Sequence, residues 1–124
     1  MTDDTVRFTF SYGSLRPLLS VMGLGPRWSR VEVGPDGLEV RMGWGFRARI
    51  ARPTIRRADL CVPIRGAIGV HGWKGRWLVN GSSTGIVLVD IDPPARGYVT
   101  GYPVRLQLLL LSLEDPSGFV ATFR

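Results

Sequence analysis

The sequence predicts a mainly β domain of antiparallel hairpins that ends in one helix. Three observations carry this reading. Several segments alternate apolar and polar residues with period two, the pattern of strands that bury one face. Gly (16) and Pro (9) are frequent but follow no repeat, as turns between short strands require. Near the C-terminus, Asp115-Pro116 supplies a capping residue followed by a proline suited to the first helical position. The 124 residues suit one domain, 1–124, and a core that needs no disulfide or metal. Within it, 1–27 reads as an N-terminal strand–helix extension and 28–124 as the β core with its helix. A composition of 44% hydrophobic and 21% charged residues excludes a disordered chain.

The first strand is the alternation Val6, Phe8, Phe10, Tyr12, stopped by Gly13. Ser14 can cap a short helix whose Leu15, Leu18, Leu19 and Met22 form one stripe, ended by Gly23. Val31 and Val33 belong to the next strand, and Leu38, Val40 and Met42 to its partner across the turn Gly34-Pro35-Asp36-Gly37. Pairing Val33 with Leu38 keeps every apolar residue on one face. Gly43-Trp44-Gly45 then leads into Phe46, Ala48 and Ile50. That loop pairs Met42 with Phe46, sets Glu39 opposite Arg49, and sets Arg41 opposite Arg47.

Beyond Pro53 the pattern weakens. Ile55, Leu60 and Val62 are assigned to a further strand or two, with Pro63 at an edge or turn. Residues 68–70 and 77–79 read as short strands around a link, Gly72-Trp73-Lys74-Gly75. Ile86 to Ile91 is a strand that Asp92-Pro93-Pro94 should break. The last strand, Val104 to Leu113, alternates at first, with Arg105 and Gln107 outward. From Leu108 it is apolar on both faces, so Leu109, Leu111 and Leu113 should fall on the solvent side and need a cover. Phe119, Val120 and Phe123 on the C-terminal helix, or Leu15 and Leu19, are the candidates.

This order of elements resembles the pleckstrin-homology-like barrel, about seven antiparallel strands with a C-terminal helix. More narrowly, Val31-Glu32-Val33, the run Gly37 to Gly45, Gly85-Ile86-Val87-Leu88-Val89, Pro103-Val104-Arg105-Leu106 and Ser112-Leu113-Glu114-Asp115-Pro116 look like small uncharacterised actinobacterial proteins of that presumed fold. The resemblance covers roughly residues 28–124. It implies a binding or scaffolding module, with the helix plugging one end of the barrel, and no particular ligand. Basic residues beside the first hairpin loop, which hold phosphoinositides in some pleckstrin-homology domains, are replaced here by the acidic loop Gly34 to Gly37.

Charge points to partners. Lys+Arg is 16 against Asp+Glu 10, a formal net charge of +6, and Lys74 is the only lysine. Guanidinium forks suit phosphate, nucleic acid or anionic lipid, whereas arginines spread along the chain also fit a coding bias. Cys61 and His71 each occur once, so neither a disulfide nor a His/Cys zinc site is expected. A Cys61–His71 dyad lacks an orienting group, and Asp90 with Asp92 reads as a solvated strand end. The segment His71 to Trp77 can be read as an anion-holding rim or as a tight structural loop. No catalytic set assembles and no cofactor is implied. An acidic N-terminus without a following apolar stretch, and a longest apolar run of only Leu108 to Leu111, make a soluble cytoplasmic protein the expectation.

The expected function is therefore a non-enzymatic binding or scaffolding module for a protein or peptide partner or for a second copy of itself. The alternative is a peripheral binder of anionic lipid or nucleic acid. For the latter, the ligand-binding candidates are Arg41, Trp44, Arg47 and Arg49: three outward arginines on adjacent strands, with an aromatic at their hairpin tip. Trp44 either presents its ring to a partner or folds back to seal the core.

Overall fold

The computed structural model describes residues 5–10, 12, 17, 21, 23, 29–61, 69–73, 75–80 and 85–123. Nine strands follow in order: β1 (Val6–Phe8), β2 (Ser29–Gly34), β3 (Gly37–Met42), β4 (Phe46–Ala51), β5 (Ile55–Leu60), β6 (Gly69–Trp73), β7 (Arg76–Asn80), β8 (Ile86–Val99) and β9 (Tyr102–Ser112). A 3-10 turn, Arg52–Thr54, separates β4 from β5, and the C-terminal helix spans Pro116–Ala121. The helix begins where the capping signal predicts: the Asp115 carboxylate accepts from the Gly118 amide at 3.0 Å, and Pro116 occupies the first turn. Of the short helix expected at 14–22, Pro17 and Val21 are described and are helical; its apolar stripe lies outside the described residues.

The strands make one bent sheet in the order β1-β2-β3-β4-β8-β9-β7-β6. The long β8–β9 hairpin is its spine. The second half of β8 pairs with β4, through Ala48 opposite Gly97, while its first half pairs with β5, through Ala58 opposite Val89. One hydrophobic cluster lines the inner face of both halves, from Val31, Val40, Met42 and Ile50 to Val89, Leu109, Leu111 and Phe119. Phe119 meets Phe8 edge-on with ring centroids 5.4 Å apart, so the helix seals this cluster.

The ladder β2-β3-β4 has the register read from alternation: Val33 opposite Leu38, Met42 opposite Phe46, Glu39 opposite Arg49. Five features differ from the expectation. The sheet is not a closed barrel of about seven strands, because among the described residues no ladder joins β6 to β1. The two ends of the path belong to different halves of the sheet. Nor is it wholly antiparallel: β7 runs parallel to β9. Asp92-Pro93-Pro94 does not end β8. The strand absorbs them as a bulge, five residue steps from Asp90 to Ala95 facing two from Leu108 to Leu106. Gly72 and Trp73 are not part of a link but of a tight hairpin, with Trp73 opposite Arg76 and Gly75 at a φ of +84° that favours glycine.

The fifth difference concerns the apolar end of β9. In a regular strand successive amides point to opposite edges, but Gln107 and Leu108 both donate to the Gly75 carbonyl, at 2.8 and 3.0 Å. This bulge reverses the side-chain phase. Leu106 is inside before it, and Leu109, Leu111 and Leu113 are inside after it. These three leucines need no separate cover on a solvent face; they are the core itself, in the same cluster as Phe119. Leu108 and Leu110, expected inside, are half-buried.

The N-terminal segment ties the halves together. β1 pairs with β2, and Phe10 bridges to Leu113, with the Glu114 amide donating to the Thr9 carbonyl at 2.9 Å. Arg52 makes a second tie. Its amide donates to the Asp36 carbonyl at 2.9 Å. Its guanidinium donates to the Gly34 carbonyl (3.2 Å) and the Thr122 carbonyl (2.6 Å), and lies 5.1 Å from the Phe123 ring centroid. A cation thus answers one carbonyl at the helix C-terminus, that of Thr122.

Leu111→Ala is expected to cost about 2–5 kcal/mol, as truncation of a packed leucine does, and Leu110→Ala distinctly less. Urea midpoints check the phase reversal; equal losses would contradict it. Arg52→Ala should cost roughly 1–3 kcal/mol by leaving the Gly34 and Thr122 carbonyls without this donor, read from the same titration.

Candidate functional site

Strand pairing gathers arginines that are far apart in sequence. Residues directly opposite each other on paired strands share a face. One row on the outer face of the first half runs Arg30, Arg41, Arg47, Tyr98 across β2, β3, β4 and β8. A neighbouring row runs Arg7, Glu32, Glu39, Arg49 from β1 to β4. On the adjoining strands, Arg96 lies opposite Arg105. Among the described residues the result is seven arginines against two glutamates on one face, all exposed except the half-buried Arg30, Glu32 and Glu39. Asp59 and Asp90 belong to the other half, on β5 and the first half of β8, where Arg57 lies 3.3 and 4.0 Å from them.

Both glutamates are committed to one side of this face. Glu39 accepts from Arg30 at 2.9 Å, and from the more exposed Arg49 at 3.5 Å. Arg30, not Arg49, is therefore its main partner; alternation alone shows the cross-strand neighbour and misses the diagonal one. Glu32 lies 3.3 Å from both Arg7 and Arg30. The hydrogen bond from Arg30 holds the Glu39 carboxyl below the usual carboxylate range, against the effect of burial, with further help from the charges of Arg30 and Arg49. The Arg30 guanidinium is held correspondingly more firmly protonated by its bond to Glu39 and the charge of Glu32.

The other side of the face has no such compensation. Among the described residues, Arg41, Arg96 and Arg105 make no ion pair, and Arg47 instead stacks 4.9 Å from the Tyr98 ring centroid. Two like-charged cross-strand pairs, Arg41/Arg47 on β3 and β4 and Arg96/Arg105 on β8 and β9, thus lie one row apart, with no acid paired to either among the described residues. Such pairs are unfavourable until an anion is placed between them. An open groove of about 570 Å³ adjoins the second pair, lined by Pro94, Ala95, Pro103 and Val104 as well as by Arg96 and Arg105.

Trp44 stands at the tip between β3 and β4, 61% exposed, with one edge beside Gly23. Its ring is not part of the core, whereas Met42 and Phe46, paired on the strands that flank it, are fully buried. Of the four residues singled out from the sequence, Arg41 and Arg47 are brought opposite each other, Trp44 lies at their tip, and Arg49 sits in the row shared with the glutamates. Sequence reasoning missed Arg96, Arg105, Arg7 and Arg30. Arg96 follows the bulge that was read as a strand break, so its register could not be assigned. Arg30 precedes Val31, and the alternation of Val31 and Val33 would have placed it outward.

The remaining candidates do not develop. Cys61 is half-buried at the end of β5, its amide donating to the Ile86 carbonyl at 2.9 Å, and the His71 side chain lies outside the described residues. Among the described residues no group of three or more His, Cys, Asp or Glu could hold a metal ion, and no helix is long and apolar enough to cross a membrane. In comparisons with known proteins, no family model, curated protein or solved structure matches the chain. The arrangement itself carries the functional reading.

Because the Glu39 carboxyl is lowered in the folded state, its contribution to stability is present above the unfolded carboxylate value and is lost as pH falls through the lowered one. Glu39→Gln should therefore flatten the loss of stability below about pH 5, by at most about 1 kcal/mol for so exposed a pair. Urea midpoints between neutral and acid pH check this; parallel acid limbs for variant and parent would refute it.

Proposed function

We propose that this protein is a non-enzymatic binding module, pleckstrin-homology-like in its sheet and C-terminal helix, whose ligand is polyanionic. The observation that carries this reading is the outer face of the first half, where seven arginines meet two glutamates and two arginine pairs face each other unneutralised. Arginine suits binding better than proton transfer, because its guanidinium stays charged at any working pH and presents a rigid fork of donors. A phosphate or carboxylate placed between Arg41 and Arg47, or between Arg96 and Arg105, would accept from both and relieve their repulsion. Six of the seven arginines are exposed, so the ligand would meet them without rearrangement of the sheet.

A protein interface with an apolar centre has less support. The large exposed apolar side chains of the described residues are Val6, Val21, Trp44, Leu60 and Tyr102, and none lies among these arginines.

Long-chain inorganic polyphosphate is a suitable probe, having neither bases nor a bilayer. Parent protein should bind it with an affinity that falls steeply with salt. The double variant Arg41→Gln, Arg47→Gln should bind more weakly, with the log–log salt slope reduced by roughly two, one for each lost phosphate contact. Unchanged affinity and slope would remove this face from consideration.

A further inference from the structure

We infer that the polyanion is the headgroup surface of an anionic bilayer, met by the protein with its β3–β4 and β8–β9 tips foremost. This rests on the polyanion-binding reading above and assigns its ligand. The two tips are held side by side, the Thr100 amide donating to the Gly45 carbonyl at 3.0 Å. Each carries an exposed aromatic: Trp44 is 61% exposed and Tyr102 75%. Val21, 87% exposed, belongs to the same end, since Gly23 two residues later lies against the Trp44 ring. Amphipathic rings of this kind partition to the membrane–water interface, where an apolar body and a polar edge are both accommodated.

Charge is graded along the face in the same sense. One short step behind the tips stand Arg41 and Arg47, then Arg96 and Arg105. The runs 40–48 and 97–105 contain no acidic residue. The acids begin one row behind Arg41 and Arg47, with Glu32 and Glu39 in the row of Arg49, and continue to the β2–β3 turn residue Asp36; the three line a second groove with Arg49. A protein resting on a negative surface with its tips at headgroup level would therefore set rings among the headgroups, guanidiniums at the phosphates and carboxylates away from them.

A nucleic acid fits this geometry less well. Stacking platforms for single strands need aromatic rings lying open among the cationic residues. Among the described residues Tyr98 is the aromatic on this face, and the Arg47 guanidinium covers one side of its ring. Trp44 and Tyr102 project from tips instead. Neither would a duplex groove receive the C-terminal helix, whose Phe119 and Val120 are committed to the core.

The test is co-sedimentation with vesicles of phosphatidylcholine alone and of phosphatidylcholine with phosphatidylserine, beside polyphosphate and an oligonucleotide. Parent protein should pellet with the anionic vesicles only. Arg41→Gln and Arg47→Gln should each weaken vesicle binding about fivefold, the share expected of one cation near an anionic surface. Trp44→Ala with Tyr102→Ala should lose vesicle binding several-fold yet keep polyphosphate binding, which also shows that the variant is folded. Tip variants that sediment like the parent would overturn the inference. So would binding of polyphosphate and oligonucleotide without binding of vesicles, an outcome that leaves the polyanion reading intact. Binding of none of these probes would overturn both.

Discussion

The carbonyl of Gly75 accepts from two successive amides, Gln107 and Leu108, and the architecture depends on that double contact. A strand that kept strict alternation through this point would turn either Leu106 or Leu109 and Leu111 out to solvent. With one bulge, a single strand supplies inward leucines to both halves of the sheet. The partner strand β8 bends at the same level by absorbing residues 91–94. Two irregularities side by side let one hairpin carry β4 on one half and β5 on the other. The hydrophobic cluster can then be continuous from Val31 to Leu111, and the short helix has one core to cap instead of two.

The same bend assembles the charged face. Beyond the bulge, β8 and β9 continue the sheet of β2, β3 and β4, so Arg96 and Arg105 join arginines that precede them by some fifty residues or more. Burial on the inner side is uniformly apolar there, which leaves the outer side free to carry charge at little cost to the core. Neutralisation is uneven: Glu32 and Glu39 serve Arg7, Arg30 and Arg49, while among the described residues Arg41, Arg47, Arg96 and Arg105 make no ion pair. Exposed like charges repel weakly in salt water. The repulsion is therefore tolerable in the free protein.

Much of the first half was legible in the sequence. Residues 31–50 alternate without interruption, the loops between them are short, and one register alone keeps Val33, Leu38, Met42 and Phe46 on a common face; the structure has that register. Asp115 and Pro116 marked the helix start for a local reason, an amide in need of an acceptor. The second half was legible only in part. A bulge is set by a hydrogen bond from a distant carbonyl, and nothing near Gln107 announces it; what shows is a run of leucines with no polar face. Prolines at 93 and 94 read as a stop because a regular ladder needs their amides, whereas a bulge does not. The parallel pairing of β7 with β9 brings together segments some thirty residues apart, which local pattern cannot anticipate. At the candidate site, Arg41, Trp44, Arg47 and Arg49 were visible because they lie on one hairpin. Arg105 was visible as an outward residue, but its partner Arg96 was hidden by the bulge that precedes it.

Amide hydrogen exchange in the presence and absence of phosphatidylserine-containing vesicles would test the central claim most directly. The account predicts slowed exchange at the β3–β4 tip, 43–45, at the β8–β9 tip, 100–102, and along the flanking β3, β4, β8 and β9 residues. The β6–β7 hairpin, 69–80, should exchange unchanged. Slowing confined to that hairpin, or spread evenly over the chain, would contradict the assignment of the arginine face as the binding surface.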